Sequence, residues 1–138
     1  MIDASLVLNA LDHANTRLKF MILDACRNNP FATRGLLRQG GNLAAAVSRG
    51  LAVISPPNAA VIWYATQPGN VASDGAGKNS PFALAISHNV TIPGRDVFAV
   101  FNQTGLEVMR LTNNKQQPWL ASSPVPRFLF SARIEGSW

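Results

Sequence analysis

The chain has 138 residues, 47% of them hydrophobic and 14% charged, which is enough apolar material for one domain core and too little charge for a disordered tail. Twelve Lys and Arg against seven Asp and Glu leave a net charge of +5, but the basic residues are scattered from Arg17 to Arg133 without the cluster or stripe of a nucleic-acid face, so nucleic acid is not an expected partner. Cys26 is the single cysteine, which excludes an internal disulfide and a Cys-rich zinc site, and no apolar run reaches the roughly 18–20 residues of a membrane span.

The N-terminal segment carries Asp3 and Asp12 and no basic start, so it does not read as a signal peptide. Val7, Leu8, Leu11, Ala14 and Leu18 recur at helical spacing, with Asp3 or Ser5 available as a cap. Phe20-Met21-Ile22-Leu23 is a short continuous apolar run ending in Asp24-Ala25-Cys26, the pattern of a strand buried on both faces. Residues 32–42 read as a loop, and the Ala-rich stretch 43–51 predicts a helix. After Pro56-Pro57-Asn58, residues 59–66 form a second buried strand, followed by a Gly-rich loop over 68–79. Ser80-Pro81 has the form of an N-cap followed by Pro at the first helical position, opening a helix through about His88. Another helix is expected from about Arg95 to Leu111, with Val97, Phe98, Val100, Phe101, Leu106 and Met109 inward and Gly105 weakening its middle. Residues 127–134, Arg-Phe-Leu-Phe-Ser-Ala-Arg-Ile, read as a third strand. The order α, β, (α), β, α, α, β predicts an α/β fold with a mainly parallel sheet of about three strands, all of it one domain over residues 1–138.

Ligands of open α/β sheets bind outside the carboxyl ends of the strands. Two informative segments lie at such ends: Asp24-Ala25-Cys26-Arg27 after the first strand, and Thr66-Gln67-Pro68-Gly69-Asn70-Val71-Ala72-Ser73-Asp74-Gly75 after the second. A lone cysteine is most often a small buried hydrophobe. Past a buried strand and beside an Arg, Cys26 is instead placed to meet a substrate, and Arg27 favours the reactive thiolate. A receiver domain shares the strand-end Asp24 and Thr66 but needs further acids for magnesium, and none lies on a strand end before Asp24. No G-x-G-x-x-G follows a strand, so dinucleotide binding is dropped and no metal or cofactor is expected.

The segments MILDACRNNPF, WYATQPGNVASDGAGKNSPF and KQQPWLASS, followed by RFLF, occur in the order of the caspase-like cysteine peptidases. The chain resembles that family, particularly the bacterial caspase-like proteins near the metacaspases, over nearly its whole length. The resemblance implies a three-layer α/β/α caspase-like fold, of which this chain holds the C-terminal half, and a cysteine-type endopeptidase acting on peptide or protein substrates. Caspases carry Gln-Ala-Cys at the nucleophile, with the histidine about 50 residues upstream; the matching tripeptide is Asp24-Ala25-Cys26, making Cys26 the implied nucleophile. Tyr64 to Gly69 resembles the strand and turn leading into the substrate loop. Val71, Ala72 and Ser73 then flank a peptide that pairs as an added strand.

At the position of Asp74, caspases place an Arg that receives a substrate aspartate. The acid inverts that charge logic. Asp24 matches an acidic specificity position of metacaspases, so the implied cleavage follows Arg or Lys. An alternative for the pair is structural, Asp24 capping a turn and Asp74 starting an Asp-Gly turn. The general base is the departure: His13 and His88 are the two histidines, and neither matches the family's His-Gly segment. The chain is therefore expected to lack its base and to have the N-terminal half of the same domain, or a second copy, as partner. A non-catalytic caspase-like association module, pairing through the edge of 127–134, is the alternative reading.

Overall fold

The computed structural model describes residues 4–24, 58–67, 70, 72 and 77–132. The elements in chain order are α1 (Ala4–His13), β1 (Lys19–Leu23), β2 (Ala60–Tyr64), α2 (Pro81–Asn89), α3 (Val97–Leu111) and β3 (Trp119–Ser122). The expected loop over 32–42 and helix over 43–51 lie outside the described residues. The strands form one sheet in the order β1-β2-β3. β1 and β2 are parallel, Lys19 facing Ala60 and Leu23 facing Tyr64. β2 and β3 are antiparallel, Tyr64 facing Trp119 and Val61 facing Ser122. The fold is thus α/β, but the sheet is mixed rather than mainly parallel.

Every residue of β2 is buried, as a central strand between two covered faces requires. Alternate β2 side chains enter different clusters, because successive residues of a strand point to opposite faces. Val61 and Trp63 pack with Phe82 and Ala85 of α2 and with Val97, Val100 and Val108 of α3. Ile62 and Tyr64 pack with Leu8 of α1 and Met21 of β1. β1 departs from the expectation of burial on both faces: Met21 is buried, but Ile22 is 44% exposed, since β1 is the outer strand among the described residues.

α1 buries Leu8 and leaves Leu6 and Val7 exposed. Two residues past its end stands Asn15, whose φ of 50° is left-handed, a conformation Asn tolerates because its short side chain bonds locally. Lys19 then ties this end of α1 to the start of β1. Its buried amine lies 3.2 Å from the Asp12 carboxylate and donates to the Asn58 carbonyl at 3.0 Å.

In α3 the buried stripe is Val97, Val100, Thr104 and Val108. At about 100° per residue, these four stay on one side of the helix. Leu106 lies about 180° round from Val97 and Phe98 about 100° round, which is why both, expected inward, are exposed. Gly105 does not interrupt the helix. Asp96 caps it, its carboxylate accepting from the Ala99 amide at 2.9 Å.

The expected third strand at 127–134 is overturned over its described part, residues 127–132. The sheet's third strand is Trp119–Ser122 instead. Pro124 and Pro126 lack the N–H that would carry the ladder onward. Beyond them the backbone bonds to the loop before α3: Phe128 O accepts from Val97 N, Ser131 O accepts from Gly94 N, each at 3.0 Å, and Leu129 bridges Asp96. Phe128 and Phe130 turn onto the sheet, meeting Phe20 with ring centroids 5.6 and 5.3 Å away, and Phe130 also meets Trp63 at 5.8 Å. The apolar run covers the sheet rather than extending it.

Candidate functional site

The topology brings three separated sequence segments to one edge. β1 and β2 are parallel, so Leu23 and Tyr64 end together, and antiparallel β3 starts beside them at Trp119. Hydrogen bonds extend this edge past the strands. Ala65 N donates to Leu23 O at 2.9 Å. The Ala65 carbonyl accepts from the Gln116 side-chain amide at 2.8 Å, and Gln116 is 1% exposed. Gln67 Oε1 accepts from the Gln117 amide at 3.2 Å. Thr112, where α3 ends, receives the Gln116 amide on its hydroxyl at 3.1 Å. The turn after α3 is therefore fastened to the carboxyl end of β2 by two glutamines. Thr66 at this end is fully buried, and its hydroxyl has no hydrogen-bond partner among the described residues.

The start of α2 reaches the same edge. Ser80 caps the helix, its Oγ accepting from the Ala83 amide at 3.0 Å, and Pro81 follows. The same hydroxyl donates to Asp24 Oδ2. An anionic carboxylate so placed is also favoured by the unpaired amides of the helix terminus. Asp24 remains exposed. Ser80→Ala should lower stability by about 1 kcal/mol through loss of the cap, read as a lower urea midpoint with an unchanged m-value.

Of the residues singled out from the sequence, Asp24 stands at this edge. Ala72 is 8% exposed and packs with the Val61–Trp63 cluster. Cys26, Val71, Ser73 and Asp74 lie outside the described residues. Sequence reasoning assigned no role to Ser80 as the partner of Asp24 or to Gln67, Gln116 and Gln117 as the braces of the β2 end. The glutamine contacts join residues about 50 positions apart, and no local pattern announces them.

Neither histidine is at this edge. His13 ends α1 next to Asp12, which is bridged to Lys19 at the opposite end of β1; five strand steps from Lys19 to Asp24 span about 16 Å. His88 is eight residues along α2 from Ser80, about 12 Å of helix. Its Nδ1 lies 3.2 Å from Glu107 Oε2. Among the described residues no group of three or more His, Cys, Asp or Glu is placed to hold a metal ion, and no helix is long and apolar enough to cross a membrane.

A family model described as the caspase domain matches residues 2–130, all but nine residues of the chain. Comparison with individually curated proteins finds none that matches.

Proposed function

The chain belongs to the caspase-domain family of cysteine peptidases, and from that premise we propose that it carries the nucleophile and specificity acids of an endopeptidase cleaving after Arg or Lys. The observation that carries the reading is the convergence of the β1, β2 and β3 ends with the start of α2 on one edge of the sheet, where open α/β sheets bind their ligands. Cys26 follows Asp24 by two residues in the chain. The general base takes the thiol proton, the thiolate attacks the scissile carbonyl carbon, the C–N bond breaks as the protonated base returns that proton to the leaving amine, and water then hydrolyses the thioester to the carboxylic acid, returning the thiol. The distance of His13 and His88 from the edge supports a base supplied by residues outside these 138.

Asp24 and Asp74 form the two-carboxylate pocket for the residue before the scissile bond. A planar guanidinium takes paired hydrogen bonds from carboxylates, so Arg is preferred over Lys, whereas a substrate Asp meets like charges. The Ser80 bond to Asp24 supports this by fixing a carboxylate that stays exposed. Val71, Ala72 and Ser73 flank the peptide, which pairs as an added strand. The inverted charge logic supports a position nearer the metacaspase-like branch. The two clusters on opposite faces of β2 support a three-layer arrangement. Exposed Ile22 on outer strand β1 supports the N-terminal half of the domain as the neighbour that completes the sheet.

Matched fluorogenic peptides ending in Arg, Lys, Asp and Ala test the reading. With the upstream half present, the expected order of kcat/KM is Arg, then Lys, with Asp and Ala at background. The 138-residue chain alone should turn over slowly, because a thiol without its base is a poor nucleophile at neutral pH. A preference for Asp overturns the two-carboxylate pocket. The absence of any cleavage with the upstream half present favours the association module instead.

A further inference from the structure

Away from the strand ends, α2 and α3 enclose an open cleft of about 360 Å³. It lies toward the His88 end of α2, so it is separate from the edge where Asp24 and Ser80 meet. One wall is a hydrogen-bond chain. Glu107 Oε2 receives Asn89 Nδ2 at 2.9 Å and lies 3.2 Å from His88 Nδ1, while Asn89 Oδ1 accepts from Arg95 Nη1 at 2.9 Å. This chain engages one oxygen of the Glu107 carboxylate, Oε2, and one nitrogen of the Arg95 fork. Arg110, also lining the cleft, is exposed and pairs with no carboxylate among the described residues. Ile92 and Leu106 supply apolar lining, and Leu106 is 54% exposed on the outward side of α3.

Two guanidiniums with spare donors, one acid already engaged and an exposed apolar patch define the chemistry the cleft accepts. We propose that it is a second, non-catalytic binding site for an acidic peptide segment, a carboxylate meeting Arg95 and Arg110 while an adjoining apolar side chain covers Leu106 and Ile92. A single carboxylate suits the cleft better than a phosphate group. The Glu107 charge on the same wall repels a dianion more strongly, and a phosphate leaves the apolar lining uncovered. The site does not depend on the peptidase reading, since none of its residues takes part in that chemistry.

The test is an amide-resolved titration of the isotope-labelled 138-residue chain with three probes: a blocked Leu-Glu-Leu-Glu peptide, its Leu-Gln-Leu-Gln counterpart and inorganic phosphate. The acidic peptide should shift the amides of His88, Asn89, Arg95, Leu106 and Arg110, binding about tenfold more tightly than the Gln peptide and more weakly as salt rises. Arg110→Gln, an exposed change, should weaken it about three- to tenfold while amide positions elsewhere stay fixed. Equal binding of the Gln peptide, an unchanged affinity in Arg110→Gln, phosphate shifting these amides when the acidic peptide does not, or no shift with any probe would each overturn the proposal.

Discussion

Replacing Cys26 by Ala is expected to reduce peptide cleavage by about four orders of magnitude or more when the chain is tested with the N-terminal half proposed above. No other thiol exists in the chain to take over, because Cys26 is its single cysteine. The loss should fall on kcat, with peptide binding nearly unchanged, since the substitution removes the atom that forms the thioester and leaves Asp24 in place. Urea unfolding of the variant should follow that of the parent within about 0.5–1 kcal/mol, the size of a small conservative change. Substantial cleavage by Cys26→Ala would remove the nucleophile from the account, whatever the substrate preference.

Trp63→Ala should be the most damaging change to the fold. Trp63 is fully buried on the central strand, with ring centroids 5.8 Å from Phe20, 5.5 Å from Phe101 and 5.8 Å from Phe130. It therefore joins β1, β2, α3 and the segment after β3 in one aromatic cluster. Truncation leaves a cavity in contact with all four, and such changes cost about 3–5 kcal/mol, a large share of the 5–15 kcal/mol typical of a whole domain. Trp63→Phe should be far milder. Among the described residues the buried indole N–H finds no acceptor, so removing it relieves an unsatisfied donor that partly offsets the lost area. Chemical denaturation of both variants checks the pair, the expected result being a large loss for Ala and a small change for Phe. Equal losses would mean that the indole N–H carries no such penalty.

The sequence made the local features readable and the non-local ones opaque. Ser80-Pro81 announced the start of α2 because cap and first-turn proline are properties of adjacent residues, and the structure places both as expected. The apolar runs at β1 and β2 were visible for the same reason. The burial of β1 is not legible in composition, which cannot tell a central strand from an outer one; Ile22 is apolar and still exposed. The strand expected at 127–134 has suitable residues, but which backbone it pairs with is decided by Gly94 and Val97 and by the two prolines before it. For α3, choosing Phe98 and Leu106 as inward followed hydrophobicity where angular position decides, and Thr104 takes the buried place instead. At the site, Asp24 was legible as a strand-end acid, whereas the Ser80 hydroxyl that holds it, 56 residues away, was not.

Cys26 as the nucleophile of a site selective for a basic residue is tested by the modification rate of the chain with peptides that carry the same thiol-reactive group after either Arg or Asp, followed by intact mass. The expected result is a single adduct on Cys26, formed at least about tenfold faster with the Arg peptide, with the difference lost in Asp74→Ala. Equal rates for the Arg and Asp peptides, no faster than with a small alkylating agent, would contradict it.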